Sequence, residues 1–268
     1  MDILQAILLG IIEGFTEFLP ISSTGHLLIT QDLIGYKDTA EIFTVVVQMG
    51  ALGAVLWYYR DDLIRKVTGL FGGDKNTINF WKVWILATIP AALAGLVIES
   101  KLSSIGTLPV IASALIVGGI IIWLIETYHH TKPSKREPQF DKLSTKQALQ
   151  IGLYQILALV PGVSRSGATI MGGVLSGLDR VTATAFSFYL SIPILLMAGL
   201  YKLAKGYDNL STISGGGSAL LAGTVASFIT AFIVIGWLLK YVSKHDFKIF
   251  AYYRIALGLI ILLGIAIS

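Results

Sequence analysis

Apolar runs of membrane-span length recur along the chain at 42–59, 83–98, 108–125, 183–204, 218–239 and 249–267. A hydrocarbon core takes about 20 mostly apolar helical residues, so the pattern predicts six crossings and an all-α fold. Two other stretches are apolar only in pieces. EGFTEFLPISSTGH (13–26) separates two arms, each too short to span, with two carboxylates, a proline, hydroxyls and an imidazole. The same form surrounds PGVSRSGAT (161–169). Irregular backbone at membrane depth is tolerated only where it is buried in protein or lines a wet cavity, so both stretches predict re-entrant helical hairpins.

Displacing the sequence by 142 positions lays QAILLGIIEG (5–14) on QALQIGLYQI (147–156), pairing Gln5 with Gln147, Ala6 with Ala148 and Gly10 with Gly152. The register continues through Ser22/Ser164, Gly25/Gly167, Leu33/Leu175 and Gly35/Gly177 to Ala114-Leu115 and Ala256-Leu257. Shared apolar composition explains single matches but not a constant offset over so long a reach. The expectation is one membrane domain, 1–268, of two homologous halves: repeat one 1–128 and repeat two 147–268. The polar, proline-bearing linker 129–146 joins them.

Each half then holds a hairpin that does not cross and three helices that do. An odd number of crossings makes the second half enter from the opposite face, so the repeats have inverted topology. Charge gives an independent reading. Segments 60–82, 129–146 and 240–254 fall on one side and contain 14 of the 20 Lys and Arg residues. The positive-inside rule makes that side cytoplasmic, and places both termini and the mouth of the first hairpin outside.

Composition agrees with a bilayer solvent: 54% hydrophobic, 13% charged and mean hydropathy +0.76. A net charge of +4 is accounted for by the topological bias and calls for no nucleic acid. There is no cysteine, which excludes disulfides, thiolate metal sites and cysteine nucleophiles. MDILQAILLG lacks the basic region and cleavage site of a secretory signal, so it is expected to stay in the fold.

Glu13 and Glu17 lie four apart, on one face of a helical arm. Ionisable groups within apolar segments cost about 2.5–3.5 kcal/mol on insertion scales and are functional by default. Two adjacent carboxylates need a cation or a proton, and a hard divalent ion, Mg²⁺ or Ca²⁺, suits them. Glu99 and Glu126, at the ends of their spans, read as exposed. Downstream stand Ser22, Ser23, Thr24 and His26. Ser-Ser-Thr alone reads as a helix start; with His26 beside it, a hydroxyl–imidazole pair becomes a candidate nucleophile and base, the attacking atom left open. The other histidines, His129, His130 and His245, fall in basic loops.

The second hairpin supplies Arg165 between Ser164 and Ser166, with Gly162 and Gly167 permitting close backbone approach and Thr169 a turn on. A helix N-terminus with serines, glycines and an arginine suits an anion, above all phosphate. Arg180, next to Asp179, reads as an arginine reaching for the interface. GxxxxGK[ST] is absent, so nucleotide binding has no support. Pseudo-two-fold symmetry would bring the hairpin tips together, carboxylates facing arginine. Gln155 stands where Glu13 stands in the first half, so the site is chemically asymmetric. Gly10-x-x-x-Gly14 reads as a helix-packing pattern, Gln48 and Ser191 as cavity lining or helix contacts, and GGGS (215–218) as a flexible loop.

EGFTEFLPISSTGH and PGVSRSGATI resemble the two signature segments of the undecaprenyl-diphosphatase family, the integral-membrane bacitracin-resistance proteins, and the resemblance runs the length of the chain. It implies hydrolysis of undecaprenyl diphosphate to the monophosphate in the bacterial plasma membrane, dependent on Mg²⁺ or Ca²⁺. Carried over, Glu13 and Glu17 would hold the metal or assist attack, and Ser23 or His26 would be nucleophile or base. Arg165 would bind the diphosphate with Ser22, Thr24, Ser164, Ser166, Gly167 and Thr169. The expected partners are the polyprenyl diphosphate and membrane lipids, with no nucleic acid and a homodimer left open. Inverted repeats with broken helices are also a transporter architecture, so a lipid flippase is the rival reading.

Overall fold

The computed structural model describes residues 1–36, 38, 41–129, 137–205 and 215–267, and of 99–105 the backbone alone. The described residues are helical, without strands: α1 Ile3–Thr16, α2 Ser23–Leu33, α3 Ile42–Tyr58, α4 Arg60–Phe71, α5 Lys75–Ile105 and α6 Leu108–Tyr128 precede the linker. After it come α7 Thr145–Ile156, α8 Arg165–Leu175, α9 Arg180–Lys205, α10 Gly216–Val242 and α11 Lys248–Ile267. GGGS, expected as a loop, instead provides the αL cap Gly215 and the first turn of α10. Residues 130–136, in the expected linker, lie outside the described residues, as do 37, 39–40, 206–214 and 268 and the side chain of Glu99, expected to be exposed.

Five helices, α5, α6, α9, α10 and α11, are long and apolar enough to cross a membrane. The sixth expected crossing is shorter: α3 has 17 residues and turns by 68° into α4, and the pair passes only when counted as one broken span. The arms α1, α2, α7 and α8 have 14, 11, 12 and 11 residues. At 1.5 Å per residue the longest reaches about 21 Å, short of a core about 30 Å thick. α9 is the most enclosed of the spans, with 67% of its apolar window buried against 17–33% for the others. It therefore carries the interior wall of the protein.

Residues paired by the 142-residue offset do the same structural work. Gln5 closes a capping box with Asp2 at the start of α1, and Gln147 closes one with Ser144 at the start of α7. Each glutamine also donates to a carbonyl at the far end of its own hairpin, Gln5 to Ile34 (3.4 Å) and Gln147 to Ser176 (2.9 Å). The next residues, Gly35 and Gly177, take φ of 67° and 88° to leave the second arm. α1 packs on α10 and α7 on α5, so each hairpin lies against a span of the other half. Gly10 and Gly152 permit this. A Cβ on Gly10 would stand 2.2 Å from the Gly223 carbonyl oxygen, and one on Gly152 2.6 Å from that of Ala87.

Pro193, within α9, has no N–H for the Tyr189 carbonyl, and the Trp84 indole of α5 donates there instead, at 2.9 Å. Two expectations about charge are corrected. Glu126 is buried, and Arg180 does not reach for the interface: its Nη2 and Nε meet the Glu126 carboxylate at 2.5 and 3.0 Å. The Phe247 N–H donates to the same carboxylate at 3.3 Å, so the end of α6 and the starts of α9 and α11 converge on one neutralised pair. Arg254, counted with a basic loop, is fully buried within α11 because that helix starts at Lys248.

Candidate active site

Pro20 prevents α1 from continuing, and the chain turns through buried Phe18, Leu19 and Ile21 before α2 begins. Phe18 fixes this turn by meeting the Phe188 ring of α9 edge-on at 5.3 Å. The second turn follows a 3₁₀ segment, Leu157–Leu159, and uses Gly162 at φ 93°. Both turns end alike: Ser22 and Ser164, 142 positions apart, each take φ 73° immediately before a helix. A side chain at positive φ is strained and persists where surrounding contacts over-determine it. Ser164 Oγ caps α8 through the Gly167 N–H at 3.1 Å, whereas Ser22 gives α2 no side-chain cap.

The turns meet. Ser166 Oγ donates to the Leu19 carbonyl (2.7 Å) and lies 3.0 Å from Ser164 Oγ. Arg165 Nη2 donates to Glu17 Oε1 at 3.2 Å, in an ion pair whose side chains are 9% and 5% exposed, and Nη1 donates to the Ser187 carbonyl of α9 at 3.0 Å. On the other oxygen of the same carboxylate, Oε2, Ser23 Oγ donates at 2.6 Å and Gln48 Nε2 of α3 at 3.5 Å. Thr169 Oγ1 donates to the Arg165 carbonyl and stands 2.6 Å from Ser187 Oγ, bracing the first turn of α8 against α9.

A cavity of about 220 Å³ opens over this contact. Glu17, Ser22, Ser23, Thr24, Gln48, Gln155, Ser164 and Arg165 give it a polar side, and Ala91, Leu159, Val160, Ile194, Leu195 and Ala198 an apolar one. Glu13 is buried outside the lining, with neither carboxylate oxygen hydrogen-bonded. Ser166, Gly167 and Thr169 are also buried behind the wall. His26 lies apart: Nδ1 is 2.7 Å from the Ser22 carbonyl and Nε2 is 2.7 Å from the Tyr253 hydroxyl, with the two rings stacked. Ser191 turns back on the Phe188 carbonyl. Three contributors were not anticipated from sequence: Ser187, Tyr253 and Arg254. Only Arg254 left a trace, as a charge inside the run KIFAYYRIALGLI.

The fold and this site define a polytopic all-α membrane protein with a carboxylate, a serine and an arginine enclosed between two helical hairpins. Residues 6–260 match the family described as bacitracin resistance protein BacA, and the chain belongs to that family. Among its relatives, undecaprenyl-diphosphatase 1 of Burkholderia ambifaria is 46% identical over 267 residues, covering 97% of this chain and 95% of the relative. Undecaprenyl-diphosphatase 2 of Shewanella oneidensis is 44% identical, covering 96% of each chain. Undecaprenyl-diphosphatase 1 of Chromobacterium violaceum is 46% identical, covering 96% of this chain and 94% of the relative.

Proposed function

We propose that this protein hydrolyses undecaprenyl diphosphate to undecaprenyl phosphate and phosphate, which recycles the carrier lipid of cell-wall synthesis and confers bacitracin resistance. The observation that carries the proposal is the enclosed contact of Ser23, Glu17 and Arg165. A serine hydroxyl points its proton at a carboxylate, and that carboxylate is held by a guanidinium that lines the same cavity. The names of the relatives support the substrate, and the two-sided lining suits an amphiphile with a phosphate head.

Ser23 Oγ forms a bond to the terminal phosphorus as its proton passes to Glu17, and the anhydride P–O bond breaks toward the lipid monophosphate. Glu17 gives that proton to the departing lipid phosphate and, ionised again, takes one from the water that attacks phosphorus, returning it to Ser23 Oγ as the phosphoserine ester breaks and phosphate leaves. Arg165 offsets the negative charge that develops on the phosphoryl oxygens, and the uncapped N-terminus of α2 adds backbone N–H groups on the Ser23 side. A divalent cation, Mg²⁺ or Ca²⁺, fits the remaining residues. Glu13 offers two buried oxygens without hydrogen-bond partners, behind the cavity lining and one turn from Glu17, and this pair would hold the ion, no group of three acidic, histidine or cysteine ligands occurring among the described residues. When bound, the ion would withdraw charge from the diphosphate.

The halves are read as inverted repeats, 1–128 and 147–268, each a hairpin and three crossings. Arms too short to cross and the exchange of α1 and α7 between halves support that reading. Moving Arg254 out of the basic segments leaves their bias intact, which supports an active site open to the outer face and both termini outside.

Purified protein in detergent, with no membrane to cross, is expected to release phosphate from a polyprenyl diphosphate when Mg²⁺ or Ca²⁺ is present and to stop when a chelator is added. A translocator alone would release none, and no release under any condition rejects the hydrolase. Glu13→Gln separates the cation's role from folding. It removes an unpaired buried carboxylate, so the metal-free thermal midpoint is expected not to fall. The cation concentration for half-maximal release is expected to rise about tenfold or more, a carboxylate ligand having been replaced by an amide. An unchanged cation requirement would place the ion elsewhere.

A further inference from the structure

Arg254 has no exposed surface, and its guanidinium uses its whole donor complement on backbone carbonyls. Nε donates to Leu115 at 3.3 Å and Nη2 to Ala114 at 3.1 Å, both in α6. Nη1 donates to Pro20 of the first turn and Val163 of the second, each at 3.0 Å, and Nη2 to Gly162 of the second at 3.1 Å. No carboxylate pairs with it among the described residues. The sequence makes room for this fork at Gly118, where a Cβ would stand 2.2 Å from Nη2.

Three of the five bonded carbonyls, those of Pro20, Gly162 and Val163, belong to the turns that end in Ser22 and Ser164, both at φ 73°. Non-glycine residues held there are strained and relax unless restrained. Tyr253, the preceding residue, reaches the first turn by a second route. The Ser22 carbonyl can only accept, so His26 Nδ1 carries the proton and Nε2 accepts from the Tyr253 hydroxyl. A chain of two hydrogen bonds therefore runs from α11 through His26 to the backbone of Ser22, next to Ser23.

We propose that Arg254, assisted by Tyr253 through His26, is a positioning residue for the hydrolytic reaction: α11 pins the two strained turns to each other and so fixes Ser23 and Glu17 against Arg165. The inference rests on the cavity being the diphosphate site. It gives His26 the role of holding Ser22 rather than of base.

The test compares wild type, Arg254→Lys, Arg254→Met and Tyr253→Phe, purified in detergent and assayed for phosphate release with Mg²⁺, with thermal unfolding of each sample giving the folded fraction. Misplacing reacting groups by about 1 Å costs up to about 100-fold in rate. On that scale the expected fall in kcat per folded molecule is about tenfold for Lys, about 100-fold for Met and about threefold for Tyr253→Phe, with KM within about threefold of wild type. Lysine does better because its ammonium still reaches some of the carbonyls. Losses that track the folded fraction, or a raised KM at unchanged kcat, overturn the proposal. If neither Arg254 variant folds, Tyr253→Phe decides: a wild-type kcat overturns it and a reduced one supports it. An inactive wild type would instead reject the hydrolase reading, so the two failures are distinct.

Discussion

Arg165→Ala is expected to lower kcat for phosphate release by about 10³-fold, the upper range for removing a single charge-stabilising donor from an enclosed site. The side chain performs two tasks that alanine abolishes together. It faces the cavity with a positive charge, and it holds Glu17 Oε1 at 3.2 Å while anchoring to the Ser187 carbonyl at 3.0 Å. Arg165→Lys separates them, because an ammonium keeps the charge but not the planar fork that bridges Glu17 and Ser187. Lysine is therefore expected to recover no more than about a tenth of wild-type kcat. Removing one partner of a buried ion pair also costs stability, by about 3–5 kcal/mol where burial is complete. Thermal midpoints must accompany the rates, and turnover near wild type in folded Arg165→Ala would move the phosphate away from this cavity.

That a single arginine and the two acidic residues could be found in the sequence follows from the solvent. In a bilayer an ionisable side chain within an apolar run stands out against its neighbours, and the breaks at Pro20 and Pro161 marked the hairpins in the same way. The 142-residue offset was visible because Gln5/Gln147 and Gly35/Gly177 are restricted by geometry, as capping-box partners and as positive-φ exits. Side-chain partnership across the fold was not visible. Glu126 and Arg180 are 54 positions apart, and nothing local distinguishes a buried pair from two exposed charges at helix ends. His26 sits close in sequence to Glu17 and Ser23, yet its ring meets Tyr253, 227 positions on, and stays outside the cavity lining. Arg254 was obscured by a boundary. Residues 249–254 belong both to the apolar run 249–267 and to the basic segment 240–254, and positive-inside counting absorbs the arginine without contradiction. The left-handed backbone of Ser22 and Ser164 had no sequence signal, serine being ordinary before a helix; tertiary contacts impose it.

Glu17→Gln and Ser23→Ala, made singly and together, test whether the 2.6 Å contact between these two side chains is a catalytic unit. Each single change is expected to lower kcat by about 10³-fold, within the range for losing a general base or an activated nucleophile. Glutamine keeps an oxygen that can accept from Ser23 and fills the same space, so its effect isolates the loss of negative charge and basicity. Alanine at 23 removes the hydroxyl and leaves Glu17 bonded to Arg165 and Gln48. If the Ser23 proton passes to Glu17, neither residue has a function without the other, and the double variant is expected within about threefold of the slower single one. Fully additive losses would show independent roles, with a water rather than Ser23 attacking and Glu17 acting on that water alone. Phosphate release distinguishes the cases once single-turnover rates are compared. A serine nucleophile leaves phosphate on Ser23 during the reaction, and an acid quench should trap it there on the wild type and not on Ser23→Ala.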